Sequence, residues 1–148
     1  MSKGKLVLAS GTFDLLHYGH LKFLEEAKRA GGKNARLIVI VASDSTFRRM
    51  KGSKPVIPED QRRALVDALK PVDAALLGYR DLKLESVIKK INPDIIAVGH
   101  DQGSIEKAVK EIIVKKRLAT KVVRVGRFGA EALNSSSKIK RKIVESWE

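Results

Sequence analysis

Five short apolar runs punctuate this chain, at residues 5–9, 36–42, 74–77, 95–98 and 121–125, and each is followed by a longer stretch with apolar residues at helical spacing. Leu6-Val7-Leu8-Ala9 and Ile95-Ile96-Ala97-Val98 have no polar face at all. A strand that is apolar on both sides of its pleat must be covered on both sides. Its alternation with amphipathic segments at 19–30, 58–69, 83–91, 104–117 and 135–146 predicts an α/β fold of βαβ units, with a parallel sheet and helices on both faces. The 148 residues form one expected domain, 1–148, and an apolar content of 43% is enough for a full core. No internal repeat, low-complexity segment or interdomain linker interrupts the pattern.

In open α/β sheets, ligands bind at the carboxyl ends of the strands, where helix N-termini present unpaired N–H groups and a positive dipole end to anions. The first such junction reads Gly11-Thr12-Phe13-Asp14-Leu15-Leu16-His17-Tyr18-Gly19-His20. His17 and His20 are three residues apart at a helix start, so both imidazoles can face one phosphate. The competing readings are a solvated or structural histidine pair and a metal site. Zinc usually takes three or four protein ligands, whereas this chain has no Cys, and its one other histidine, His100, is remote in sequence.

Three further segments belong at the same sheet edge. Val98-Gly99-His100-Asp101-Gln102-Gly103 puts Asp101 where it can accept from a ribose hydroxyl or an amine, or simply cap a helix. His100 reads as an exposed or satisfied histidine. Asn134-Ser135-Ser136-Ser137-Lys138 offers hydroxyls and amides around one helix start, suited to the outer phosphates of a nucleotide, although one of these residues would serve as a plain cap. The segment Phe47-Arg48-Arg49-Met50-Lys51-Gly52-Ser53-Lys54-Pro55 reads as a long basic loop and a mobile lid. Lys51 and Lys54 on that loop, and Arg62 on the following helix, are suited to phosphate. Arg62 and Arg63 are adjacent and must diverge on a helix, so at most one of them faces the site. The Walker pattern, the Gly-rich dinucleotide fingerprint and any Ser–His–acid or Cys–His arrangement are absent.

The net charge of +13, from 30 Lys+Arg against 17 Asp+Glu, favours anionic partners: nucleotides, phosphorylated metabolites or nucleic acid. A heavily charged surface of thermophile type explains the same balance. Aromatic residues make up only 5%, too few for a single-strand stacking platform, so nucleic acid is the weaker reading. The lack of Cys suits a reducing compartment. The early apolar run is too short for a signal-peptide core, and no run has the length of a membrane span. The expectation is a soluble cytoplasmic protein.

Together, Gly11-Thr12-Phe13-Asp14, His17-Tyr18-Gly19-His20 and Ser135-Ser136-Ser137-Lys138-Ile139-Lys140 resemble the two signatures of the cytidylyltransferase-like nucleotidyltransferases, in order and over nearly the whole chain. Residues 51–63, 68–73 and 99–102 and the triple serine most resemble the archaeal-type FAD synthases (FMN adenylyltransferases). The near neighbour, glycerol-3-phosphate cytidylyltransferase, has an Arg-Thr-Glu-Gly-Ile run before its hydroxyl cluster. Here residues 127–134 read Arg-Phe-Gly-Ala-Glu-Ala-Leu-Asn.

The resemblance implies a Rossmann-like nucleotidyltransferase fold with strand order 3-2-1-4-5 and a switch point between the first and fourth strands. It implies transfer of AMP from ATP to FMN with release of pyrophosphate, supported by Mg²⁺ carried mainly by the phosphates, and it is compatible with a homodimer. His17, His20, Lys51 and Lys54 would be catalytic. Thr12, Phe13, His17, Tyr18, Gly19, His20, Arg62, Asp101, Arg127, Phe128, Ser135, Ser136 and Ser137 would hold ATP. The alternatives are glycerol-3-phosphate cytidylyltransferase or another small-molecule nucleotidyltransferase and, more remotely, a non-catalytic basic nucleic-acid-binding protein.

Overall fold

The computed structural model describes residues 4–78, 84–126 and 135–147. Five strands, β1 (Leu6–Gly11), β2 (Arg36–Val41), β3 (Ala74–Leu77), β4 (Ile95–Gly99) and β5 (Lys121–Val125), form one sheet in the order β3-β2-β1-β4-β5. Every pairing is parallel. Among the described residues six helices accompany them: α1 (Tyr18–Ala30), α2 (Asp44–Lys51), α3 (Glu59–Asp67), α4 (Leu84–Ile91), α5 (Gly103–Lys116) and α6 (Ser136–Ser146).

The two-sided strands bury both faces, as their composition requires. On one face Val7, Ala9, Leu37, Val39 and Val41 pack with Leu24 and Ala27 of α1 and Val66 of α3. On the other, Leu8, Ile96 and Val98 pack with Ile88 of α4 and Val109 of α5. Consecutive residues of β1 thus enter opposite cores, the period-2 rule in its simplest form. All five residues of β4 are buried.

The two edges of the sheet are finished differently. At the amino edge, carboxylates take the strand amides: Asp94 accepts from Leu6 N–H (2.8 Å), Asp73 from Leu37 N–H (2.7 Å) and Asp67 from Ala75 N–H (2.9 Å). Those polar groups are therefore satisfied by the chain itself. At the carboxyl edge the chain turns into helices, and β1 lies between β2 and β4, whose connections run to opposite sides. This is the switch point, where such sheets hold ligands.

One expectation is corrected here. The segment 47–55 is not a continuous loop, because Phe47 to Lys51 lie in α2. The Ser43 side chain caps this helix by accepting from Thr46 N–H, and Gly52 ends it at φ 79°, a left-handed backbone that glycine takes without strain. Only residues 52–58 connect α2 to α3. Among the described residues, no helix is long and apolar enough to cross a membrane.

Candidate active site

The turn from β1 into α1 is tightly built. Phe13 and Leu15 both have φ 53°, a backbone region that costs a non-glycine residue roughly 1 kcal/mol or more. Such strain persists only where the surroundings enforce it. Phe13 is buried, and its ring lies so close to Gly11 that a Cβ there would meet it at 2.8 Å. Gly11 is thus required by the approach of the ring.

His17 is the N-cap of α1, and His20 sits one turn in. Their rings stack at 3.7 Å between centroids and 25° between planes, and Phe13 meets His20 edge-on at 5.3 Å. The Nδ1 of His20 accepts from the His17 backbone N–H at 3.2 Å, so the neutral ring carries its proton on Nε2. Burial, and then the neighbouring His17, push the His20 pKa down to about 3, against a smaller upward pull from Asp14. Burial lowers that of His17 as well. The His17 side chain faces the His20 backbone N–H in the other half of a reciprocal cap, and its buried Nδ1 makes no full hydrogen bond there. The site therefore holds two stacked neutral imidazoles at a helix N-terminus whose first-turn amides include those of Tyr18 and Gly19, a chemistry suited to anionic oxygens.

The last helix reaches the same turn. Ser136, the first residue of α6, donates its hydroxyl to the Asp14 carbonyl, and Lys140 Nζ lies 4.0 Å from Asp14 Oδ2. Segments 122 residues apart thereby converge. Ser135 uses its side-chain oxygen to cap α6, accepting from Lys138 N–H at 3.2 Å, while Ser137 is exposed. At the switch point Asp101 is exposed in the turn after β4, and His100 beside it is exposed too. Lys51, at the end of α2, and Lys54 are both exposed. Tyr18 is half-exposed beneath Lys22 Nζ. Arg127 and Phe128 lie outside the described residues.

Arg62 corrects a second expectation. Its side chain is completely enclosed, and its donors are engaged inside the protein: Nε on the Ile57 carbonyl (2.8 Å), Nη1 on the carbonyls of Thr12 (2.6 Å) and Ala42 (2.8 Å), and Nη2 on Asp44 Oδ1 (2.7 Å). In this conformation it is a staple between the ends of β1 and β2 and the segment before α3, not a hand extended to phosphate. It faces inward because the chain ends around it leave carbonyls that need donors. Arg63 diverges, as adjacency demands, and reaches the Ala75 carbonyl at 3.3 Å. The Thr12 carbonyl is consequently occupied from within.

Other residues of this edge carry no local sequence signal. Gln102 accepts from Gly99 N–H (2.8 Å) and donates to the Ser10 carbonyl (3.0 Å), bridging β4 and β1 where they part. Beyond β2 and β3, a cavity of about 740 Å³ is lined by Ser43, Asp44, Ser45, Arg48, Arg49, Glu59 and Gly78. Its one legible hint in the sequence is the pair of arginines at 48–49.

With this geometry in view, a family model described as cytidylyltransferase-like matches residues 8–142. The chain belongs to the cytidylyltransferase-like family. Its relatives include the FAD synthase of Methanopyrus kandleri, 43% identical over 98% of this chain and 95% of the relative, and that of Methanothermus fervidus, 47% identical over 93% and 94%. Among solved structures, the lipopolysaccharide core biosynthesis protein of Thermoplasma volcanium is 37% identical with a TM-score of 0.76, covering 85% of this chain and 99% of the other. The pantoate-beta-alanine ligase of Francisella tularensis shares the fold at 16% identity and a TM-score of 0.62, over 93% of this chain and 65% of the ligase. In this cytidylyltransferase-like chain, the two motifs that carry the family resemblance are the two segments joined by the Ser136–Asp14 contact.

Proposed function

We propose that this chain is an FAD synthase, transferring AMP from ATP to FMN to give FAD and pyrophosphate. The observation that carries the reading is near-full-length similarity, at 41–47% identity, to several archaeal FAD synthases. The site chemistry supports it. An FMN phosphate oxygen attacks the α-phosphorus of ATP, the bond from that phosphorus to the bridging oxygen breaks, and the electron pair leaves on pyrophosphate. The nucleophile is already anionic near neutral pH, so the protein needs to supply alignment and positive potential rather than a general base.

The Nε2–H of His20 and the imidazole of His17 meet α- and β-phosphate oxygens at the start of α1. Ser137, with the amides that open α6, faces the outer phosphates, and Ser136 seats that helix start on the Asp14 carbonyl. Lys51 or Lys54 closes over them, and Asp101 receives a ribose hydroxyl or the adenine edge. The backbone of Thr12 and Phe13 lines the nucleotide pocket. Arg127 and Phe128 are retained as nucleotide contacts on the resemblance alone. Among the described residues no three metal-ligating side chains cluster. A divalent cation, Mg²⁺ in this reading, would be carried mainly by the phosphate oxygens and would offset the charge that gathers on pyrophosphate.

The test is to incubate purified protein with ATP, FMN and Mg²⁺ and separate the flavins. FAD should form with one pyrophosphate each. No FAD, with CDP-glycerol made from CTP and glycerol 3-phosphate, would replace the proposal with the neighbouring activity.

A further inference from the structure

Asp14 belongs to the first motif, yet neither the phosphate chemistry nor the helix start needs its side chain. It is 3% exposed, in a turn where both flanking residues have left-handed backbone. A carboxylate buried to that depth is strongly disfavoured unless its lone pairs are used. They are used on the backbone of another segment. Oδ2 accepts from Val56 N–H and Oδ1 from Ile57 N–H, each at 2.9 Å. Two successive amides on one carboxylate fix both the position and the direction of the chain. The carbonyl of Ile57 is taken by Arg62, which also holds the Thr12 carbonyl. The backbone at Ile57 is thus gripped on its N–H by Asp14 and on its C=O by Arg62. On the far side, the Asp14 carbonyl receives the Ser136 hydroxyl, and Lys140 approaches the carboxylate.

We infer that Asp14 is a positioning residue for nucleotidyl transfer, clamping the end of the basic connection and the start of α6 onto the turn that carries His17 and His20. The inference rests on the adenylyl-transfer reading of those imidazoles. Lys54 is two residues before Val56, so its backbone lies within about 7 Å of the clamp even when fully extended. Lys51 is held instead by α2. The clamp therefore governs Lys54 more than Lys51, and it aligns the cation with the reacting phosphates through the backbone alone.

Asp14→Asn tests this, since an amide keeps one acceptor oxygen but turns a donor towards the second N–H. In the ligand-free variant, backbone exchange at Val56 and Ile57 should rise about tenfold or more over wild type. In turnover, kcat should fall about 10- to 100-fold while the KM for ATP moves little, the signature of lost alignment. Combined with Lys54→Ala, the loss should be strongly sub-additive, whereas Lys51→Ala should add almost independently. Unchanged exchange at Val56 and Ile57, or full additivity with Lys54→Ala, overturns the inference. Should Asp14→Asn fail to fold, Asp14→Glu keeps the charge and displaces the oxygens by one methylene. The same exchange measurement and double-mutant cycle on that variant then support or overturn the clamp by the same outcomes. Wild-type protein that makes no FAD refutes the functional reading separately, because the exchange measurement needs no substrate.

Discussion

Arg62 and His20 show how burial changes what a polar side chain can do. Truncation of Arg62 to Ala strands the carbonyls of Thr12, Ala42 and Ile57 and leaves the Asp44 carboxylate without its partner. Each stranded buried carbonyl costs about 1–3 kcal/mol and the emptied space adds to that, so denaturant unfolding should show a large stability loss. A plain phosphate ligand would instead raise the KM for ATP at unchanged stability. For His20, the folded pKa of about 3 lies below the unfolded value near 6.5. Below pH 6.5 the unfolded chain therefore binds the extra proton. Stability is complete above that pH and falls between about 6.5 and 3, with a slope approaching 1.4 kcal/mol per pH unit for this residue. His20→Asn, which keeps an acceptor for the His17 N–H, should flatten the slope in unfolding curves taken across that range. In catalysis, His17→Ala or His20→Ala should cost on the order of 10²–10³ in kcat if each stabilises developing charge, and wild-type turnover in either folded variant removes it from the site.

Among the elements, α2 and α6 are the instructive pair. The helix α2 buries a single residue, Phe47. One buried position in eight residues makes no periodic stripe, and its basic run before Gly52 and Pro55 reads locally as loop. The helix forms because Ser43 caps it, Asp44 in its first turn meets Arg62 from α3, and Phe47 docks beneath the same guanidinium at 5.8 Å. Ser43→Ala should therefore lower stability by about 1 kcal/mol in thermal unfolding. The helix α6 has no buried residue, and it meets the turn through Ser136 and Lys140, near its start. Ser136→Ala should raise the KM for ATP with little change in kcat, read from steady-state rates, because it loosens the seat of the far phosphates without touching the imidazoles.

Among the described residues, the two ends of the sheet differ in chemistry. Carboxylates close the amino edge of the sheet, while the carboxyl edge gathers the stacked imidazoles, two helix starts and the arginine-lined cavity. The charge of +13 adds a diffuse attraction for polyanions that no built site is needed to explain. Nucleic-acid association, measured by retention or anisotropy, should therefore be non-specific and collapse between about 50 and 200 mM salt, where counterion release dominates. Flavin nucleotide formation should survive that range. High-affinity nucleic-acid binding that persists at the upper salt would restore the competing reading.

Strand positions, sheet class and five of the six helices were legible because burial on two faces and helical amphipathicity leave periodic marks in the chain. The pairing of His17 with His20 was legible because two imidazoles three residues apart share a helix face wherever the helix goes. The partners of Asp14, Arg62 and Gln102 were not. A carboxylate, a guanidinium and an amide declare what kind of group they can bond, but their partners lie 42, 50 and 92 residues away. Packing of the sheet and helices selects those partners, and with them decides that Arg62 holds backbone carbonyls.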